Sequence, residues 1–256
     1  KWPYSLVSVI IPCYNYGKYL EEAIDSVLNQ TFQNFEIIVV DDGSSDPETI
    51  EILNKLNKPK TRLIRQKNQK LPSARNNGIK RATGKYICCL DADDKLKPTY
   101  LEKCILRLER ENTDLCTSLQ ENFGDSTSTL DPGVFSIENL MNNNCATVSS
   151  IFKKEIWKKA GGYNKHMVQG YEDWDFWIKI AKLGARASKI EEPLFLYRKH
   201  GKTMIDTAEK NHEILYEQIK NNHRDIFYSD KGLKLAKYRR NIRYIVENKD
   251  INLFLP

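Results

Sequence analysis

Along the first 110 residues, short apolar runs alternate with stretches whose apolar positions recur at helical spacing. Leu6–Ile11, closed by Pro12, reads as a first strand and Phe35–Val40 as a second. Between them Tyr19, Leu20, Ala23, Ile24, Val27 and Leu28 share one face at a 3.6-residue period, which predicts an amphipathic helix. Glu48–Leu56 reads as a helix, Arg62–Arg65 as a brief third strand, and Ser73–Ala82 as a helix stopped by Gly84. A buried strand over Lys85–Leu90 and a helix from Pro98 to about Arg110 complete the alternation. Strands apolar on both faces and separated by helices imply right-handed βαβ crossovers and a mostly parallel sheet.

After Leu115 the order loosens. Glu121–Gly133, rich in Ser, Thr, Asp and Gly, reads as a loop of the mobile-flap kind. Thr147–Phe152 predicts a strand, Lys153–Ala160 a short helix ended by Gly161-Gly162, and Glu172–Leu183 a helix. On that last helix Trp174, Trp177, Ile178 and Ala181 lie on one side. Ala187–Ile190 and Leu194–Tyr197 predict short antiparallel strands at the sheet edge. From Asp206 onward the pattern is that of two polar helices with a break near Ser229-Asp230.

A chain of 256 residues, 40% hydrophobic and 29% charged, supports one large α/β domain with a helical appendage. No apolar stretch approaches the roughly 20 residues a bilayer span needs, and no signal-peptide pattern opens the chain. The six cysteines include an adjacent pair in a predicted buried strand and no Cys-x-x-Cys. They read as small core residues in a reducing cytoplasm rather than a disulfide framework. The net charge of +6 is uneven, with six Lys or Arg and no acid between Lys231 and Arg243. Such a run is a solvated helical face, or else a surface for anionic phosphates of lipid or nucleic acid.

The buried strand at Lys85–Leu90 ends in Asp91, Asp93 and Asp94. Carboxylates there suit a divalent cation carrying a phosphorylated substrate; the alternative is a surface turn in which Asp94 caps the helix near Pro98. In a parallel sheet all strand carboxyl ends share one edge. Pro12, Tyr14 and Asn15 therefore meet Asp41 and Asp42, with Asp91 and Asp93 on the same rim. A planar aromatic beside an acid suits a nucleobase, although Tyr14 also fits a packing role and Asp42-Gly43 an ordinary turn. Glu172 and Asp173 follow a Gly170 turn and stand in the first turn of a helix, where the macrodipole favours anions. They serve either as plain capping groups or as acid–base machinery.

Several segments in order resemble glycosyltransferase family 2: Val7–Asn15, Ser26–Thr31, Val40–Asp46, Ala74–Gly78, Asp91–Asp94, Gly161–Tyr163 and Glu172-Asp173. The resemblance covers about residues 5 to 200. It implies a GT-A fold, a Rossmann-like α/β sheet, mixed but mostly parallel, flanked by helices and followed by a C-terminal helical extension. Residues 1–204 would form the GT-A domain, 1–115 holding the nucleotide sugar and 116–204 the acceptor, and 205–256 the basic extension. By position, Pro12, Tyr14 and Asp42 cradle the base, usually uracil in this family. Asp91 approaches ribose and metal, and Asp93 is the principal ligand of Mn²⁺ or Mg²⁺, ions suited to oxygen donors. Arg75 faces the nucleotide pocket, with a rim salt bridge as its alternative. Asp173 is the general base of an inverting transfer and Glu172 orients a hydroxyl. His200, in a Tyr197–His200 segment of the family's Tyr-Arg-x-His kind, completes the metal shell or stays a solvated residue. Trp174 and Tyr171 flank the base and offer aromatic faces to a sugar ring. One departure stands out: Lys70 occupies a position where relatives usually have Gly.

The expected partners are a nucleotide sugar, most simply UDP-linked, and a glycan, lipid-linked or protein-linked acceptor. The basic C-terminal helices suggest peripheral contact with the inner face of a membrane; nucleic acid is not expected. The competing explanations are a catalytically silent GT-A domain that binds nucleotide or glycan, and a nucleotidyltransferase. The latter is disfavoured because Tyr14–Lys18 is poor in the glycine such chemistry needs after strand one.

Overall fold

Seven residues, Val7–Cys13 (β1), form a strand buried along its whole length. In this computed structural model, which describes residues 7–201, 203–230 and 232, that strand sits at the centre of the N-terminal half. Helix α1 (Gly17–Leu28) returns over it with Leu20, Ala23, Ile24 and Val27 buried, as the helical period predicts. Strand β2 (Phe35–Asp41) runs parallel to β1 in a register from Val7↔Phe35 to Cys13↔Asp41. Helix α2 (Pro47–Lys55) starts with Pro at its first position and an Asp46 cap that accepts from Thr49 N at 2.8 Å. Strand β3 (Thr61–Arg65) pairs parallel with β2. Helix α3 (Leu71–Arg81) leads to β4 (Tyr86–Cys89), which lies parallel to β1 on its other side.

The second half adds β5 (Lys95–Leu96), α4 (Tyr100–Arg110), β6 (Leu115–Gly124), β7 (Ser128–Leu130), α5 (Ile137–Leu140) and β8 (Ile151–Lys153). It continues with α6 (Lys154–Lys159), α7 (Glu172–Lys182), β9 (Ala187–Lys199) and α8 (Met204–Lys210). The sheet order is β3-β2-β1-β4-β8-β6-β9-β5, with β7 attached to β6. Strand β8 is antiparallel to both neighbours, and β5 is antiparallel to β9. Because strand side chains alternate, β1 feeds two layers. Val7, Val9 and Ile11 face α1 together with Leu101, Cys104 and Ile105 of α4. Ile10 faces α3, where a Cβ on Gly78 would press into Ile10 Cγ2 and lie 3.0 Å from Val40 Cγ2. All six cysteines are buried and unpaired, as expected for core residues.

The structure departs from the sequence expectation in the second half. Glu121–Gly133 is not a loop: β6 extends to Gly124 and β7 folds back on it, pairing Gln120↔Leu130 and Asn122↔Ser128. Most strand side chains there are polar, and Asn122 Nδ2 donates to Ser128 Oγ at 2.8 Å, so composition masks a ribbon. Ala187–Ile190 and Leu194–Tyr197 are one strand, β9, parallel to β6 and not a pair of edge strands. Glu191-Glu192-Pro193 looks like a break, but register shifts around Leu119 absorb it. Thr147–Ser150 is a hydroxyl-bonded turn, with Ser150 Oγ donating to Thr147 O at 2.7 Å, and only Ile151–Lys153 is strand.

The chain divides into two compact units, Lys1–Lys210 and Asn211–Pro256. The described part of the second unit contains α9 (His212–Asn222) and α10 (Arg224–Phe227), with Leu215, Ile219 and Phe227 buried. The expected pair of helices after Asp206 is thus three short ones before Tyr228, interrupted at Asn211 and His223. The basic run Lys231–Arg243 lies outside the described residues apart from Gly232. Among the described residues no helix is long and apolar enough to cross a membrane.

The close approach of α3 to the sheet makes Gly78→Ala an overpacking change. It should destabilise the fold by about 1–2 kcal/mol, the steric cost exceeding the gain in helix propensity. Urea unfolding of the two proteins measures the difference.

Candidate active site

The in-register ends of β1 and β2 hold their outgoing loops together. Asn15 takes a left-handed backbone (φ 59°), and its Oδ1 accepts from Ser45 N at 2.8 Å and Asp46 N at 2.9 Å. Asp41 Oδ1 accepts from Ser44 N at 2.9 Å, closing the same turn. Pro12 is buried in β1 opposite Val40. Tyr14 is 44% exposed, too open for a packing residue. Asp42 is buried, and its Oδ1 accepts from Gln66 Nε2 at 2.7 Å and Gln69 N at 2.8 Å. It is therefore a built acceptor rather than an ordinary surface turn.

Beyond β4 the chain turns sharply, with Asp94 N donating to Asp91 O at 3.1 Å. Arg198, near the end of β9, straps this turn. Its backbone N donates to Asp94 Oδ1 at 2.8 Å and its Nε to Asp93 O at 2.7 Å. Its guanidinium lies over the rings of Tyr19 and Phe123, 4.6 and 4.5 Å from their centroids. Asp94 does not cap α4, whose first residue follows Thr99 without a side-chain cap. The reason is the Arg198 amide, which draws Asp94 inward; burial, with Asp93 and Asp91 beside it, pushes that carboxyl well above its usual range. His200 Nε2 lies 2.9 Å from Asp93 Oδ2, and its ring packs on Tyr19 and Tyr16 at 4.8 and 5.8 Å. It is not a solvated bystander. Burial and then the Asp91 charge raise Asp93, against the opposing pull of His200.

Arg75 of α3 is 1% exposed and joins two distant elements. Its Nη2 donates to Asp91 Oδ1 at 2.7 Å and its Nη1 to Glu172 Oε1 at the start of α7. Burial pulls the guanidinium down, but the two carboxylates outweigh it and hold it well above its ordinary value. One cation cannot balance Asp91, Glu172 and the neighbouring Asp173. Burial accordingly pushes Glu172 up to about 7, opposed by Arg75 and reinforced by Asp173. Burial also raises Asp173, opposed by Arg75 and by hydrogen bonds. These come from Asn144 Nδ2 to Asp173 Oδ2 and from Trp174 N to Asp173 Oδ1, both 2.8 Å. Tyr171 precedes the helix in a left-handed conformation (φ 60°).

Trp174 differs from expectation. It is only 4% exposed, and its indole N–H donates to Leu140 O at 2.7 Å. A buried indole needs an acceptor, so the ring anchors α7 to the end of α5 and offers no open face. Tyr171, edge-on to it at 5.4 Å, is the more open of the two. Trp177 is fully buried, as its helical position predicts.

The predicted residues thus gather on one sheet edge in three groups: Pro12, Tyr14 and Asp42; Asp93 with His200; and Asp91, Arg75, Glu172 and Asp173. Gln66, Gln69, Tyr16, Tyr19, Asn144 and the strap role of Arg198 escape sequence reasoning. None carries a spacing signal, because each is defined by what it touches. Among the described residues no three His, Cys, Asp or Glu side chains form a preformed metal cage. Two cavities, of about 370 and 310 Å³, lie elsewhere, one along α4 and β9 and one beside Lys85 and Lys154.

Lys70, the departure from the family pattern, adopts φ 71° and ψ 161°, a region that favours glycine. The chain is pinned on both sides, by Gln69 N on Asp42 and by Ser73 N and Ala74 N on Lys70 O. Lys70→Gly should relieve this strain and stabilise the protein by ~1 kcal/mol after the entropy cost of glycine. A rise in the urea midpoint with an unchanged slope is the expected result.

Comparisons with known proteins bear on the family and the fold. The family model described as Glycosyl transferase family 2 matches residues 8–167. Chondroitin synthase from Pasteurella multocida (strain Pm70) is 31% identical over 86% of this chain and 24% of its own length. Hyaluronan synthase from Pasteurella multocida is 28% identical over 98% of this chain and 29% of its own. The chain thus spans between 24% and 29% of the length of these two relatives. Among solved structures, S. aureus TarS 1–349 in complex with UDP-GlcNAc aligns with a TM-score of 0.71 at 22% identity. That alignment covers 90% of this chain and 69% of the other, and shows the shared fold. A match that begins in β1 and crosses the acidic ends of β2 and β4 makes this chain a member of glycosyl transferase family 2, built on the GT-A fold.

Proposed function

We propose that this chain is an inverting glycosyltransferase that moves a sugar from a UDP-sugar to a hydroxyl of a growing glycan. The observation that carries the proposal is Arg75, which ties Asp91 at the end of β4 to Glu172 beside Asp173 at the start of α7. It brings the diphosphate side and the acceptor side of a transfer within one hydrogen-bonded group. The donor class is supported by the likeness to TarS, solved with UDP-GlcNAc and with UDP. The acceptor class is supported by similarity to chondroitin and hyaluronan synthases.

In this proposal Tyr14 stacks on the base, Pro12 floors its pocket and Asp42 accepts from its edge. Asp91 and Asp93, with His200 behind Asp93, are a donor set that fits Mn²⁺ or Mg²⁺, since such ions take one or two carboxylates and complete their shell with substrate phosphate. When bound, the ion neutralises charge on the departing diphosphate. Asp173 removes the proton of the acceptor hydroxyl as its oxygen attacks the anomeric carbon. The bond to the diphosphate oxygen breaks with its electron pair on that oxygen, and the proton stays on Asp173. Burial raises the basicity of Asp173, while Arg75 and two N–H donors favour its ionised form. Glu172, held by Arg75, orients a sugar hydroxyl.

Two substitutions separate these roles. Asp93→Ala should abolish Mn²⁺-dependent UDP binding, read by calorimetry. Asp173→Asn should leave UDP binding intact and cut transfer by at least about 100-fold. Turnover near wild type in the Asn variant would remove Asp173 from the mechanism.

A further inference from the structure

We infer that Asn144 is a positioning residue for the Asp173 carboxylate, holding its plane toward the acceptor hydroxyl. The inference rests on Asp173 being the base. Asn144 lies between α5 and β8, with its neighbours Cys145 and Ala146 buried at 3% and 2% exposure, so its backbone is anchored. Its orientation follows from chemistry. An ionised carboxylate only accepts, so the atom facing Asp173 Oδ2 at 2.8 Å is the amide nitrogen. The amide oxygen then faces Ala146 N at 3.5 Å.

The two oxygens of Asp173 are each taken by one N–H from a different part of the chain. Oδ1 accepts from Trp174 N on its own helix, and Oδ2 accepts from Asn144. Two such bonds fix the rotation of the carboxylate, and each oxygen keeps a further lone pair for substrate. A second strap, Trp174 Nε1 to Leu140 O at 2.7 Å, ties the same stretch of chain to the same turn of α7. The segment from Leu140 to Ala146 is therefore registered on Asp173 and its neighbour rather than merely lying near them.

The charged and titratable groups around Asp173 leave Asn144 a distinct task. Arg75 of α3 favours its ionised form, while Asp91 beyond β4 and Glu172 on its own helix oppose it. Tyr171, just before the same helix, and Tyr163, between α6 and α7, also feel the Asp173 charge. Arg75 is already committed to Asp91 and Glu172 by hydrogen bonds. Asn144 is a neutral group that donates directly to Asp173 from outside α7.

The test is a ¹³C titration of the Asp carboxyl groups in wild type, Asn144→Ala and the near-isosteric Asn144→Asp, with the Asp173 signal assigned by its loss in Asp173→Asn. Removing a donor to the ionised form should raise the Asp173 midpoint by about one unit in the Ala variant. The Asp variant, which sets a second carboxylate against it, should raise it further. UDP release is then followed from UDP-GlcNAc, UDP-GalNAc and UDP-glucuronic acid with chondroitin and hyaluronan oligosaccharides. Here kcat should fall about tenfold in the Ala variant with donor KM little changed. The acid limb of the pH profile should move upward with the midpoint. An unmoved Asp173 midpoint in both variants overturns the inference while leaving the base assignment standing. A moved midpoint with wild-type turnover in Asp173→Asn instead overturns the base assignment, and the inference with it.

Discussion

Much of this molecule follows from one buried guanidinium. A cation 1% exposed at the centre of a fold is tolerable only if carboxylates reach it, and leaving it unpaired would cost several kcal/mol. Arg75 meets that requirement with Asp91 and Glu172, which belong to different elements. The position of α3 is therefore set twice, by the contact of Gly78 with the sheet and by the reach of Arg75 across it. The two carboxylates are in turn fixed in place by the same guanidinium. Burial with too little compensating charge pushes Glu172 up to about 7, the range in which a carboxyl responds most to its surroundings.

The second acidic group is organised by the same logic from the other end of the chain. Strand β9 is long, runs parallel to β6, and carries Arg198 and His200 to the turn after β4. Arg198 supplies two N–H donors to that turn and fills the gap between Tyr19 and Phe123 with its planar head. A lysine could not satisfy both geometries. The turn of Asp91–Asp94 is thus held by hydrogen bonds from β9, which limits the ordering that binding must supply.

The N-terminal half was legible because its signals are local. Strand, helix and turn residues for β1 to α4 stand in an alternation that needs no partner to interpret, and the ends of Phe35–Val40 and Lys85–Leu90 announce their own carboxylates. The second half was less so. The Glu121–Gly133 ribbon is made mostly of polar side chains, and β9 hides behind Glu191-Glu192-Pro193. The partner of β7 is near in sequence but hidden by polar composition, whereas that of β9 is distant in sequence. The same divide runs through the site. Arg75, Asp91, Asp93 and Asp173 sit in motifs, whereas Asn144 is one of three successive asparagines and acquires meaning only from the oxygen it faces. Trp174 and Asp94 depart from the sequence expectation for a shared reason: a residue type that suits ligands or caps also suits burial when a backbone partner is at hand.

The separation of 97 residues between Arg75 and Glu172 has a consequence for biogenesis. Ribosomes add roughly 5–20 residues per second, so about 5–20 s pass between the emergence of the two. During that interval the nascent N-terminal half holds a guanidinium with Asp91 alone to neutralise it, only 16 residues further along. Long-range closure of this kind slows folding and delays the last commitment to the native topology. The Arg75–Glu172 contact therefore acts as a clasp of the domain, one that can fasten only after α7 has been made.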